Sequence, residues 1–152
     1  MKFTFPAMEA ALRDMAARHS RVHVLSDRKS GKTRALVAQA IAEWPAAAEL
    51  AAPQLFFAHS IQAAHAARQL YAQMSGGADR VTFCKFSPDI DLRGAFVYVD
   101  NVEHTLARYA DNDWLLADAL RVRAVGTPSP WGAHMLCLRH FPRSDLSGTP
   151  HA

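Results

Sequence analysis

Short apolar runs alternate along the chain with segments in which apolar residues recur at helical spacing. Residues such as Met8, Leu12 and Met15 repeat every three to four positions, as on one face of an α-helix. The apolar runs predict strands over 22–25, 54–58, 81–85, 95–99, 122–125 and 134–140. The helical segments predict helices over 6–19, 32–44, 60–74, 103–109 and 113–120.

This alternation indicates an α/β fold, a three-layer sandwich with helices on both faces of a mainly parallel sheet of about five strands. We expect one domain over 1–141, followed by a flexible tail over 142–152 that is rich in Ser, Gly and Pro. Pro45 is expected to end the second helix, leaving 46–52 as a connection or a single helical turn. Ligands bind such sheets at the carboxyl ends of the strands, so the polar residues that follow strands are the candidate site residues.

Composition excludes several classes of protein. Of the 152 residues, 50% are hydrophobic and 20% are charged, which is ordinary for a globular domain and too apolar for a disordered chain. No apolar run approaches the ~18 residues that a membrane span needs, so we expect a soluble, cytoplasmic protein without a membrane partner. Two cysteines are too few for a disulfide framework, and the eight histidines show no zinc-ligand spacing.

The net charge of +3 is unevenly distributed. Residues 1–34 contain eight Lys or Arg and three Asp or Glu, whereas the remainder is slightly acidic. A basic segment favours an anionic partner for that part of the chain. The alternative is that these arginines only keep an alanine-rich helix soluble.

The clearest motif is the loop that follows the first predicted strand. Its eight residues are Ser26, Asp27, Arg28, Lys29, Ser30, Gly31, Lys32 and Thr33. They fit the phosphate-binding pattern G-x-x-x-x-G-K-[ST], except that serine replaces the first glycine. In that pattern the loop amides and a helix N-terminus hold phosphate, the lysine reaches the terminal phosphates, and the last hydroxyl binds Mg²⁺. The alternative is an ordinary turn with a lysine at the start of a helix.

A second candidate lies about 70 residues later, where the apolar run 96–99 ends in Asp100. A carboxylate held rigidly by a buried strand is suited to bind the same Mg²⁺ as Thr33. Glu103 follows three residues later and is a candidate to orient an attacking water. Its alternative role is to interact favourably with the dipole of the helix that follows.

Three further residues follow predicted strands. Thr127, in a Gly-Thr-Pro turn, is a candidate to contact the γ-phosphate, although the turn alone could explain Gly126 and Pro128. His59 and His104 lie at the same expected edge, either as hydrogen-bonding groups or as solvated surface histidines.

Taken in order, the Ser26–Thr33 loop, the strand ending in Asp100 and the Thr127-Pro128 turn resemble the ATPase core of viral terminase large subunits. These DNA-packaging motors are additional-strand P-loop NTPases, and the resemblance covers about 1–140 with three short motifs. It implies an ATPase that uses ATP and Mg²⁺, in which Arg28 corresponds to an arginine that terminases often carry in this loop. Together with the residue-based candidates, the expected catalytic residues are Lys32, Glu103 and Arg28. The resemblance also implies coupling to double-stranded DNA, a homo-oligomeric ring or other packaging components, and a location in the host cytoplasm.

Two departures from the family pattern keep a second reading open. The usual Asp-Glu pair is Asp100-Asn101 here, and 152 residues leave no room for the nuclease domain of a full terminase. We therefore expect either a stand-alone or truncated ATPase, or a degenerate P-loop module that binds nucleotide or a protein partner without turnover.

Overall fold

The fold was analysed in a computed structural model that describes residues 5–109, 112–128 and 137–146. The helices are α1 (Phe5–Arg18), α2 (Lys32–Glu49), α3 (Ile61–Ser75), α4 (Val102–Thr105) and α5 (Asn112–Leu115). The strands are β1 (Arg21–Leu25), β2 (Gln54–Ala58), β3 (Val81–Lys85), β4 (Phe96–Val99), β5 (Arg121–Gly126) and β6 (Arg143–Asp145).

All six strands are parallel and form one sheet with the order β3-β2-β4-β5-β1-β6. β5 lies between β1 and β4, so the two strands that carry the candidate phosphate loop and Asp100 are not direct neighbours. The carboxyl ends align because Leu25 pairs with Gly126 and Val99 pairs with Ala124. The predicted α/β class with a mainly parallel sheet is confirmed. Five of the six predicted apolar runs are strands of this sheet, and β6 lies outside them.

Helices cover the two faces of the sheet unequally. Successive strand residues point to opposite faces, so Phe56 packs with α1, α2 and α3, whereas Phe57 packs on the other face with α4, α5 and the segments 86–95 and 137–141. The first face therefore has three long helices and the second has short elements. α4 and α5 are each four residues long, shorter than predicted.

The predicted end of the second helix was wrong, because α2 continues through Pro45 to Glu49. A proline inside a helix removes one hydrogen bond and costs about 3 kcal/mol. Three alanines follow Pro45, and alanine has the highest helix propensity. Ala47 is fully buried in the core, and the Arg80 guanidinium lies 4.7 Å from the Trp44 ring centre. Packing of the last turns thus outweighs the proline.

The carboxyl-terminal predictions also need correction. The expected tail from 142 onward contains β6, which pairs with β1 from His23 to Leu25. The expected strand over 134–140 is not a strand over 137–140, where the chain turns, and 134–136 lie outside the described residues. β6 joins the sheet through backbone hydrogen bonds at both ends, from His23 N–H to the Pro142 carbonyl (2.9 Å) and from Leu146 N–H to the Leu25 carbonyl (2.7 Å).

A buried polar network ties α2 to the sheet. The Arg123 guanidinium donates to both carboxylate oxygens of Glu43 and to the carbonyls of His19 and Ser20. The Tyr98 hydroxyl donates to Glu43 at 2.8 Å. Burial and the neighbouring Glu43 carboxylate raise the pKa of Tyr98, so the phenol stays protonated and can donate. These contacts fix α2, and therefore the loop that precedes it, relative to β4 and β5.

None of the helices in the described part of the chain combines the length and the apolar character needed to cross a bilayer.

Candidate functional site

A cavity of about 690 Å³ opens at the carboxyl edge of the sheet. It is bounded by the loop after β1, the first turn of α2, the residues after β4 and the turn after β5. This volume lies within the range of small-molecule sites in proteins. The lining residues are Arg28, Lys29, Gly31, Lys32, Thr33, Arg34, His59, Leu70, Asn101, Glu103, His104 and Thr127.

The loop between β1 and α2 reaches its shape through two left-handed residues. Gly31, at the helix N-cap, has φ 84°, and Lys29 has φ 59°. Glycine adopts this conformation freely, whereas in lysine it costs roughly 1–2 kcal/mol. The loop is anchored at its start, where Ser26 N–H donates to the Gly126 carbonyl at 3.0 Å and extends the β1–β5 pairing.

Lys32 folds back over the loop from the first position of α2. Its Nζ donates to the Asp27 carbonyl at 2.6 Å and lies 3.5 Å from Ser30 Oγ. Burial lowers the pKa of Lys32, and the carboxylates of Glu103, Asp100 and Asp27 partly offset that effect. The ammonium is thus held in the loop close to the first turn of α2, whose amides have no acceptor within the helix, and an anion would be stabilised there.

Thr33 and Asp100 meet although 67 positions separate them in the sequence. The Thr33 hydroxyl donates to Asp100 Oδ2 at 2.7 Å. Asp100 is held by its backbone, since its N–H donates to the Phe57 carbonyl at 2.9 Å and its carbonyl accepts from the Thr105 hydroxyl at 2.6 Å. The carboxylate therefore has a fixed position at the end of β4.

Asp100 is buried, and desolvation raises the pKa of its carboxyl, against the lowering effect of the Thr33 hydrogen bond. The Asn101 amide also favours the ionised form, yet Oδ1 makes no hydrogen bond of good geometry within the described ranges. A buried carboxylate oxygen without a partner is costly. A hydroxyl and a carboxylate are the hard oxygen donors that suit Mg²⁺, which takes one or two protein ligands and completes its shell with water and phosphate. Thr33 and Asp100 together fit that ion. Within the described ranges there is no cluster of three or more His, Cys, Asp or Glu residues that could hold a metal by itself.

The carboxylate that lines the cavity after β4 belongs to Glu103, which lies three positions after Asp100. Asn101, which also lines it, occupies the position directly after Asp100. Asn101 adopts φ 52°, a left-handed conformation that asparagine tolerates better than most residues. The turn starts α4 at Val102 and places Glu103 in its first turn. Glu103 Oε1 accepts from the Thr127 N–H at 3.1 Å, and its side chain is 12% exposed. The ends of β4 and β5 are thereby linked through one carboxylate.

The structure brings together most of the residues predicted from the sequence. Arg28, Lys29, Gly31, Lys32, Thr33, Glu103 and Thr127 all line the cavity, and Asp100 lies beneath Thr33. Ser26, Asp27 and Ser30 do not line it. The Ser26 side chain is buried, with no hydrogen-bond partner for Oγ among the residues described, and Asp27 contributes its backbone carbonyl to Lys32.

Three lining residues were not anticipated as part of the site: Arg34, Leu70 and Asn101. Arg34 directly follows the motif, so its place on α2 could have suggested it. Nothing in the sequence marks Leu70, which comes from the middle of α3. His59 and His104 also line the cavity, with ring centres 5.7 Å apart, and His104 Nε2 lies 3.9 Å from Glu103 Oε2.

Family models and curated proteins identify no relative of this chain: no protein-family model matches it, and no curated protein matches it. Inference about function therefore depends on the geometry of this cavity.

Proposed function

We propose that the chain binds ATP with Mg²⁺ in this cavity and hydrolyses the terminal phosphoanhydride bond. The observation that carries the proposal is the 2.7 Å hydrogen bond from Thr33 to Asp100. It joins the hydroxyl that ends a phosphate-loop motif to a buried carboxylate at the end of a second strand. Two elements with separate sequence signals thus meet at the point where a nucleotide-bound cation would need them.

The loop and the first turn of α2 supply the proposed phosphate site. The amides at the start of an 18-residue helix have no intrahelical acceptors and carry the positive end of its dipole. Lys32 would exchange its bond to the Asp27 carbonyl for the β- and γ-phosphates. Arg28 and Lys29 are exposed at the cavity and would add positive charge, with Arg28 stabilising the charge that develops on the transferred group.

Thr33 and Asp100 are the residues that would hold Mg²⁺. Asp100 Oδ1, which has no well-aligned hydrogen-bond partner in the part of the chain that the structure describes, supports that assignment. When bound, the ion neutralises phosphate charge and orients the β- and γ-phosphates. Asp100 is ionised in this role. Without a cation, desolvation makes the ionised carboxylate unfavourable, and a bound cation would offset that cost.

Glu103 is the proposed general base that orients the attacking water. Its carboxylate lines the cavity near Lys32 and is held by the Thr127 amide. Asn101 cannot act as a base, but the turn at Asn101 presents Glu103 from the next helix. Because its N–H donates to the Glu103 carboxylate, Thr127 would respond through Glu103 to the presence of the γ-phosphate.

The strand order supports assignment to the additional-strand P-loop class, because β5 lies between the loop strand β1 and the Asp100 strand β4. Coupling to DNA translocation or viral DNA packaging, in a host cytoplasm, is proposed from the terminase resemblance of the three motifs. Exposed basic side chains at the cavity, such as Arg28 and Arg34, are compatible with a nearby polyanion.

The test is Mg²⁺-ATP binding by calorimetry and phosphate release under steady state, for the wild type, Lys32→Ala and Glu103→Gln. We expect Lys32→Ala to lose binding and Glu103→Gln to keep binding but lose turnover by roughly 10²–10⁴-fold. Arg93→Ala, which removes an exposed positive charge outside the cavity, is the control and should match the wild type.

Addition of double-stranded DNA tests the motor proposal, with stimulation expected to fall steeply as salt rises. Binding without turnover in the wild type would favour the degenerate module over the enzyme. Absence of Mg²⁺-ATP binding would overturn the proposal as a whole.

A further inference from the structure

β3 forms one edge of the sheet and leaves one side without a strand neighbour among the described residues. It is five residues long and contains no proline, whereas β6 at the opposite edge has three residues. Its Phe83 and Cys84 are half-buried, and Ile61 beside it is 74% exposed. An edge strand presents unpaired backbone groups with which another chain can pair.

The free backbone groups of this edge can be assigned. The Phe86 N–H donates inward to the Ala58 carbonyl of β2 at 3.3 Å. Because the N–H and C=O groups of successive strand residues alternate sides, the amides of Val81, Phe83 and Lys85 point away from β2. The edge therefore presents three consecutive pairing positions centred on Phe83.

We propose that β3 is a homodimer interface, in which a second copy of this chain pairs its own β3 antiparallel and joins two sheets into one. A two-fold axis through Phe83 is the self-complementary register, with Phe83 opposite the partner's Phe83 in a hydrogen-bonded pair. Thr82 then lies opposite the partner's Cys84 in a non-hydrogen-bonded pair, where Cα atoms are about 4.5 Å apart.

Charge favours a second copy as the occupant. Lys85 at the end of β3 would ordinarily protect an edge. In the two-fold register Lys85 would lie diagonal to the partner's Asp79. Asp79 precedes β3 by two residues and faces Arg68 of α3, so it lies on the face of the sheet that Phe83 also occupies. Asp79 is exposed and pairs only loosely with Arg68, at 3.6 Å. Two such Lys–Asp contacts would form per dimer, and no like charges would be directly opposed along the strand.

An adjacent groove adds apolar surface to the interface. It has a volume of about 270 Å³ and lies between α3 and β3, lined by the apolar Ile61, Ala64 and Phe83 and by the basic Arg68 and Lys85. A strand added along β3 would cover part of it.

Since antiparallel pairing points the two sheets in opposite directions, the candidate site of each chain remains within that chain. This arrangement differs from the ring implied by the terminase resemblance.

Crosslinking tests the register. Thr82→Cys places a thiol opposite the partner's Cys84, within the Cα separation that a disulfide requires. Diamide at pH 8.5 should give a covalent dimer, the alkaline pH being chosen because burial raises the pKa of the Cys84 thiol. The wild type is a matched control, because its two Cys84 residues would be diagonal and about 7–8 Å apart. Thr82→Cys combined with Cys84→Ser is the second control, and neither should crosslink.

Sedimentation equilibrium tests the dimer without any introduced thiol. Lys85→Glu should weaken dimerisation on the order of tenfold, because it repels the partner's Asp79, and the charge swap with Asp79→Lys should restore it. A wild type that remains monomeric at its highest soluble concentration would overturn the proposal. So would a closed higher oligomer, or Thr82→Cys crosslinking no faster than its Cys84→Ser control.

Discussion

Gly126→Ala is the sharpest probe of the contact between Glu103 and the end of β5. A methyl group at Gly126 would lie 2.8 Å from Glu103 Oε1, whereas ordinary contact begins at 3.4 Å. Its other neighbours, Leu25 Cδ2 at 3.5 Å and His23 Nε2 at 3.6 Å, are already at ordinary distance. Gly126 is not among the residues with positive φ, so alanine fits the backbone there. The substitution therefore displaces the carboxylate and little else.

The displacement gives the size of the effect. Glu103 Oε1 must move by about 0.6 Å, which takes its 3.1 Å bond from the Thr127 N–H beyond hydrogen-bonding distance if the shift is along that bond. Loss of that bond should destabilise the fold by roughly 1 kcal/mol. If Glu103 acts as the proposed base, its misplacement by close to 1 Å can cost on the order of 10²-fold in rate. Affinity for Mg²⁺-ATP should stay the same, because Gly126 does not line the cavity.

Single-turnover ATP hydrolysis of Gly126→Ala, Glu103→Gln and the double variant forms a double-mutant cycle. If the methyl acts through Glu103, Gly126→Ala will lower the rate in the wild-type background and cost nothing further beside Glu103→Gln. Equal losses in both backgrounds would refute this reasoning, as would a Gly126→Ala protein that hydrolyses ATP at the wild-type rate.

Three further substitutions test the energetics of the fold and the loop. The pKa of Asp100 is raised in the folded state, so ionising the carboxyl at higher pH lowers the stability of the fold, whereas at low pH it is protonated and costs nothing. Asp100→Asn should therefore raise the melting temperature at pH 7, and this gain should disappear near pH 3. Arg123→Met should lower the unfolding free energy in urea by roughly 3–5 kcal/mol by leaving Glu43 buried and underpaired, and adding Glu43→Leu should recover part of that loss if the pair is the cause. Lys29→Gly should raise thermal stability by about 1 kcal/mol, since glycine relieves the left-handed backbone, and Lys29→Ala should give no gain.

The sequence predicted the sheet well where strands are apolar on both faces. β2 has the predicted bounds, and β1 starts one residue earlier. Such strands are visible because a parallel sheet covered on both faces needs continuous apolar runs. β6 has the sequence Arg-Ser-Asp and carries no apolar signal. It joins the sheet through backbone bonds to β1, which no side-chain pattern reveals.

The candidate site divides in the same way. The loop and Asp100 were predictable because each has a local motif, and their meeting follows from two strand ends at one edge. β5 was predicted as a strand over 122–125, but its place between β1 and β4 was not, because strand order depends on long-range pairing. The sequence predicts for Glu103 either a role in orienting water or an interaction with the helix dipole, and the structure places it in both positions, in the first turn of α4 and on the cavity wall. The local sequence could not distinguish these two positions of Glu103, because one residue can occupy both.

The site concentrates charges that the fold alone does not stabilise. Burial shifts the pKa of Lys32 downward and that of Asp100 upward, so each shift favours the neutral form of its group. The two groups offset each other in part through space, yet Asp100 Oδ1 still lacks a good partner in the described structure. Between α2 and the sheet, Glu43 and Arg123 show that this fold can pair a buried carboxylate fully when structure alone is required. Incomplete pairing at the carboxyl edge is therefore a local property, and it is what a site needs if an anion is to replace the Lys32–Asp27 bond and a cation is to engage Asp100.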